Sequence, residues 1–277
     1  MNCVRVEGLQ SAYGRKKILQ DITFEAHAGE CIGIVGRNGC GKSTLLNILA
    51  GIYKPAAGSL FFDEEPGTPE NIRKFTAYVP QNNNLYEELS VWDNLLFWYP
   101  DKKSLQNALQ EGILQSLGIE EFLHKRVSHL SGGMKKKVSI VCAMAQNAPV
   151  LLLDEPGTAL DMASKQELRA YLRKYKSKGG CLILATHEEA DLELCAKIYS
   201  IRNGKMEQEA REGENRQTPE EGGNYGFGKS EHGNEKERQG GHHRYLCCRR
   251  HRSSNSSRRF GIYVCIQYPA TETDQSL

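Results

Sequence analysis

The run GRNGCGKST, residues 36–44, brings together residue types that suit a polyphosphate. Gly36, Gly39 and Gly41, with Arg37, Asn38 and Cys40 between them, let backbone N–H groups curl around an anion. Lys42 adds a cation able to reach β- and γ-phosphates, and Ser43, followed by Thr44, offers a hydroxyl to Mg2+. Gly36, four residues, then Gly41-Lys42-Ser43 is the phosphate-loop pattern, set between the aliphatic run CIGIV (31–35) and the helical pattern STLLNILAGI (43–52). A second chemical run, VLLLDEP (150–156), ends an apolar stretch in two acids. Asp154 at a strand end would stand beside the loop's Mg2+, and Glu155 would accept a hydrogen bond from an attacking water. Together the two runs point to hydrolysis of a nucleoside triphosphate. LSGGM (130–134) is a further glycine-rich run, in which Ser131 and the Gly132 and Gly133 amides at a helix start form another anion site.

These residues need a scaffold. CIGIV (31–35), FTAYV (75–79), VLLLD (150–154) and CLILAT (181–186) are short and aliphatic, as strands buried on both faces of a parallel sheet are. Helical patterns alternate with them: ASKQELRAYLRKY (163–175) spaces Leu168, Tyr171 and Leu172 along one face. LSVWDNLLFWYP (89–100) offers Ser90 as N-cap, Trp92, Leu95, Leu96 and Tyr99 at helical offsets, and Pro100 as the stop. The alternation argues for an α/β domain. Of 277 residues 39% are apolar and 25% charged, a soluble globular balance, and a net charge of +2 gives no argument for nucleic acid. No apolar run reaches the roughly 18–20 residues that span a bilayer, so work at a membrane would need another chain. The opening MNCVRVEGLQ shows no signal-peptide core, and the nine scattered cysteines read as reduced thiols in a cytosolic protein.

On further motifs, residues 1–205 resemble the ATP-binding-cassette (ABC) ATPases. LSGGM is similar to the family's LSGGQ signature, with Met134 in place of Gln, and Lys137-Val138 continue it. Gln81 in YVPQ matches the Q-loop; Ala159-Leu160-Asp161 match the D-loop, with Thr158 where Ser is usual; His187 in ATHEEAD matches the switch histidine. Tyr13 in SAYGRKKIL falls where the family stacks an aromatic ring on adenine. The resemblance implies a P-loop NTPase (RecA-like) α/β core with an antiparallel β subdomain and an α-helical insert at about 84–140. It implies ATP and Mg2+ as ligands, the metal held by Ser43, Asp154 and Gln81. Glu155, His187 and Gln81 would serve catalysis, and Tyr13 with residues 36–44 would bind ATP. Leu130, Ser131, Gly132, Gly133 and Met134 would read the γ-phosphate held by a facing subunit, with Asp161 organising that contact. Read from the residues alone, Tyr13 also suits a surface turn, His187 a cap before EEAD, and Gln81 a polar loop.

The implied partners are a second cassette subunit, identical or not, and separate transmembrane permease subunits contacted through Tyr86, Trp92 and Phe97. The expected location is peripheral, on the cytoplasmic face of the membrane. A compact form without a recognisable C-terminal regulatory domain tilts the expectation slightly toward export. The alternative is a soluble ABC-type ATPase of DNA repair or translation. Those types usually carry tandem cassettes, coiled coils or zinc inserts, which this sequence does not show. Cys40, beside Lys42 at a helix start, is a candidate for alkylation that nucleotide would block. From about Lys205 the text turns to Gly, Glu, Asn and Arg, and residues 206–277 read as a disordered regulatory tail, an anion-binding tail through RRHRSSNSSRR, or a non-native product. Adjacent Cys247 and Cys248 fit a zinc site poorly.

Overall fold

The structure is a computed structural model that describes residues 2–110 and 112–210. The expectations for the C-terminal text therefore lie, from residue 211 onward, outside the described residues. Two sheets organise the rest. The first is antiparallel: β1 (Asn2–Tyr13) lies between β2 (Lys16–His27) and β4 (Ala57–Phe62), and β5 (Glu65–Pro66) flanks β4. The second has six strands in the order β10-β9-β3-β8-β7-β6. Here β3 (Cys31–Val35), β6 (Thr76–Val79), β7 (Val150–Asp154), β8 (Cys181–Ala185) and β9 (Lys197–Arg202) run parallel, and β10 (Lys205–Glu209) returns antiparallel beside β9.

All four aliphatic runs become strands of this second sheet, and the period-2 geometry of a strand divides their side chains between two cores. Ile32, Ile34, Val150, Leu152, Cys181 and Ile183 face the antiparallel sheet, together with Val4, Leu9, Ile22 and Leu46. Leu151, Leu153, Leu182 and Leu184 face the other way, onto a core shared with the helices. Eight α-helices and two short 3-10 helices, Ile119–Phe122 and Val127–His129, complete the described residues. α1 (Lys42–Leu49) and α2 (Pro69–Phe75) precede the helical region. That region holds α3 (Val91–Leu96), α4 (Lys102–Leu109), α5 (Gly112–Ser116) and the start of α6 (Gly132–Met144). α7 (Met162–Ser177) and α8 (Glu189–Leu192) follow. Helix α3 starts where the sequence places it, with a reciprocal capping box between Ser90 and Asp93. Its buried residues, however, are Val91, Asn94 and Leu95, while Trp92, Leu96 and Tyr99 sit half-buried at the margin of the core.

One boundary moves. Composition puts the end of ordered text at Lys205, yet β10 runs to Glu209. The cause is the Asn203-Gly204 turn, with φ of 52° and 78°, the left-handed pair that a tight hairpin requires. Backbone pairing to β9 and one partly buried apolar side chain, Met206, hold a strand that is otherwise polar. The six cysteines of the described residues are all free thiols.

Candidate functional site

Because β3, β8, β7 and β6 are parallel neighbours, their carboxyl ends open at one edge of the sheet, the place where such sheets bind ligands. Their register is level: Ile34 and Asp154 both pair with Ala185, and Val79 pairs with Leu153. Each strand then delivers its chemistry within one or two residues of its end. β3 runs into loop 36–44, β8 into His187, β7 into Asp154 and Glu155, and β6 into Gln81.

In the loop Gly36, Gly39 and Gly41 all have positive φ, 144°, 78° and 116°. One is also sterically obligate: a Cβ on Gly36 would lie 2.8 Å from the Ile201 carbonyl and from Cys40 Sγ, whereas one on Gly41 would press at 2.7 Å on the end of the Leu19 side chain of β2. The Lys42 side chain is 5% exposed, and its ammonium donates to the Gly36 carbonyl at 2.7 Å and meets His187 Nε2 at 3.0 Å. An ammonium can only donate, so Nε2 is the acceptor and the ring proton sits on Nδ1. His187 Nε2 also stands 3.6 Å from Glu155 Oε1, and Gln81 Nε2 donates to Glu155 Oε2 at 3.2 Å. Lys42, His187, Glu155 and Gln81 thus form one connected chain of polar contacts. Glu155 holds a left-handed backbone, φ 46°, braced by its N–H on the Ala185 carbonyl at 2.9 Å. Such strain in a non-glycine residue is kept only where its surroundings over-determine it.

Asp154 is 1% exposed. Burial pushes its carboxyl above the usual range, and the Glu155 charge adds to that, while the Ser43 and Tyr78 hydroxyls and Lys136 pull the other way. The Tyr78 hydroxyl donates to Oδ2 at 3.4 Å, but Oδ1 has no hydrogen-bond partner. A buried carboxylate oxygen without a partner beside a serine hydroxyl is an oxygen donor set suited to a hard dication.

The signature run lies elsewhere on the chain's surface. Ser131 caps α6 by accepting from the Met134 N–H at 3.2 Å, and Leu130 is buried in the helical-side core. Met134 packs half-buried against that same core. Asp161 caps α7 by accepting from the Ser164 N–H at 2.8 Å, which holds its carboxyl below the usual range. Between the two lies Ala159 at φ 66°, whose carbonyl sits 2.6 Å from where a Gly133 Cβ would be. Among the described residues no hydrogen bond or ion pair joins 130–134 to 36–44: the signature meets the D-loop of its own chain.

Tyr13, 57% exposed at the end of β1, makes an edge-to-face pair with Tyr53, centroids 6.1 Å apart. Tyr53 was not foreseen, because it lies in an irregular segment after α1 with no motif to flag it. Lys136 was missed as well. It is 2% exposed and bonds the Pro80 and Gln81 carbonyls at 2.9 and 3.3 Å; burial pushes its pKa down to about 8, against the pull of Asp154 and Glu155. Its offset does carry a signal, since four and seven residues on lie buried Ile140 and Ala143. Tyr86 and Phe97 are exposed with centroids 5.1 Å apart, and Trp92 leans on His124 at 6.3 Å.

Known proteins resemble this chain in sequence and fold. The family model described as ABC transporter matches residues 19–158. The spermidine/putrescine import ATP-binding protein PotA of Mesoplasma florum is 32% identical over 75% of this chain and 61% of its own length. The Nod factor export ATP-binding protein I of Paraburkholderia xenovorans is 34% identical over 73% of this chain and 68% of its own. The chain therefore spans less than two thirds of some of the curated relatives it matches. Among solved structures, an ATP-binding subunit of an ABC transporter superposes with a TM-score of 0.68 at 29% identity, covering 74% of this chain and 90% of that one. The cassette MJ0796, a dimer in a post-hydrolysis state bound to ADP and Pi, gives 0.66 at 25% identity over 74% of this chain and 98% of that one. Among the described residues no helix is long and apolar enough to cross a membrane.

Proposed function

Since the chain belongs to the ABC transporter family of ATP-binding cassettes, we propose that it hydrolyses ATP as the nucleotide-binding subunit of a transporter, driving separate membrane subunits. The observation that carries the reading is the convergence of Lys42, His187, Glu155 and Gln81 at one sheet edge. Bound β- and γ-phosphates take the Lys42 ammonium from the Gly36 carbonyl, while the loop amides and the start of α1 hold the remaining oxygens. Tyr13 offers its exposed ring face to adenine. Ser43 and Asp154, with the Gln81 amide oxygen, would hold Mg2+, which neutralises charge that develops on the phosphates. Glu155 orients the attacking water and draws off its proton, and His187, once Lys42 has moved to the phosphates and its ring proton has exchanged through solvent from Nδ1 to Nε2, donates to the γ-phosphate. The signature run completes the site of a second copy, because Ser131 and the Gly132 and Gly133 amides have no role at their own chain's loop. The family resemblance points to a membrane-subunit docking face in the helical insert, for which the paired Tyr86 and Phe97 and the nearby-in-sequence Trp92 are candidates, with the protein peripheral to the membrane.

The test is ATP turnover by the full chain. Wild type hydrolyses ATP, and Lys42→Ala lowers kcat/KM by at least about a hundredfold, the usual loss when a phosphate-stabilising group goes. Turnover untouched by Lys42→Ala would remove the loop from the chemistry. Co-purification with a polytopic membrane protein supports the transporter role, and a soluble complex alone refutes it.

A further inference from the structure

Three lysines follow Met134 on successive positions of α6, about 100° apart round the helix, and each reaches a different segment. Lys135 pairs with Glu87 at 2.6 Å, Lys137 with Asp161 at 3.8 Å, and Lys136 with the Pro80 and Gln81 carbonyls at 2.9 and 3.3 Å. The outer two are partly exposed pairs of the kind that contribute little to stability. Lys136 is different: it is 2% exposed and forms no ion pair among the described residues. A Met of similar length would fill that space without desolvating an ammonium, so packing alone gives no reason for the cation.

Its two acceptors do give one. They are the carbonyls on either side of the Gln81 Cα, so the ammonium pins both peptide planes that define φ and ψ of Gln81. With the backbone fixed, so is the Cα–Cβ vector from which the exposed Gln81 side chain reaches Glu155 at 3.2 Å. The clamp belongs to the helix whose N-cap is Ser131, so a shift of α6 pulls on Gln81 directly. We propose that Lys136 is a positioning residue for Gln81, a backbone clamp that ties the Q-loop to the signature helix. Its catalytic consequence rests on the hydrolysis proposed above.

Two measurements on the full chain test it. In Lys136→Met, hydrogen exchange of the 78–86 segment is faster than in wild type, while the 150–154 segment is unchanged. In ATP turnover Lys136→Met lowers kcat roughly 10–100-fold with KM little altered, and that loss largely disappears in a Gln81→Ala background. Should Lys136→Met fail to fold, Lys136→Gln, which keeps an N–H donor without the charge, takes its place in both measurements with a smaller effect in the same direction. Unchanged exchange at 78–86, or kcat losses that multiply independently in the double variant, overturns the clamp. The exchange arm needs no nucleotide: a chain inert toward ATP but with faster exchange refutes hydrolysis and leaves the clamp standing. A chain that turns over ATP with unaltered exchange refutes the clamp alone.

Discussion

Asp154 carries a stability cost that serves the proposed site. Its carboxylate is buried with one oxygen lacking a partner, an arrangement that costs roughly 1–3 kcal/mol. The sign follows from the raised carboxyl: the ionised form is disfavoured by folding, so stability is greatest when the proton is on and falls as pH rises through the folded value. A neutral isostere escapes that penalty. Asp154→Asn, melted in EDTA at neutral pH, is therefore expected to raise Tm by about 2–4 °C per kcal/mol relieved while abolishing ATP turnover. A lower Tm would show that the ion is better solvated than its burial implies. Met134 poses a smaller question. Its thioether packs half-buried on the helical-side core, so Met134→Gln exchanges some packing for an amide able to hydrogen-bond. Turnover unchanged or raised, with a slight loss of Tm, is the expected result; a large loss of turnover would mean that the Met packing sets the signature loop.

At the scale of elements, the signature helix and the D-loop meet through the Lys137–Asp161 pair at 3.8 Å and, most tightly, through backbone. Adjacent glycines divide sharply there. A Cβ on Gly133 would stand 2.6 Å from the Ala159 carbonyl, whereas one on Gly132 meets nothing nearer than 3.9 Å. Gly133→Ala must push α6 or the loop before α7 aside, and a loss of about 1–3 kcal/mol by chemical denaturation is expected. Gly132→Ala stays within about 0.5 kcal/mol of wild type. Equal effects of the two would mean that the loops yield to each other at little cost. The start of α6 was legible as a glycine run behind a serine, but not the carbonyl that makes one glycine obligate, because Ala159 is 26 residues further along the chain.

For the whole molecule the telling fact is that the two glycine-rich runs join different sets of contacts. Residues 36–44 join a network with Gln81, Glu155 and His187, and residues 130–134 join Ala159 and the helical core. A second copy placed head to tail would bring each signature to the other's phosphates, with ATP as the bridge. Glu155→Gln retains binding groups while stopping hydrolysis, so with ATP it is expected to scatter light as a dimer and without ATP as a monomer. A monomer in both conditions would sink the shared site.

The sequence by itself determined the four aliphatic strands β3, β6, β7 and β8, the glycine-rich turn after β3, the capping of α3 and the order of the motifs. These depend on neighbours in the chain: period-2 burial, glycines at positive φ, a serine three residues before its capped amide. It left β10 hidden, since a polar strand shows no alternation and is held by backbone pairing to β9. Only the tertiary structure decided that Lys136 reaches the Gln81 backbone, that Tyr53 edges Tyr13, and that Asp154 keeps an unpartnered oxygen. The first two are contacts between segments far apart in sequence, and the third follows from burial at a strand end, which the parallel sheet sets beside the ends of its neighbours.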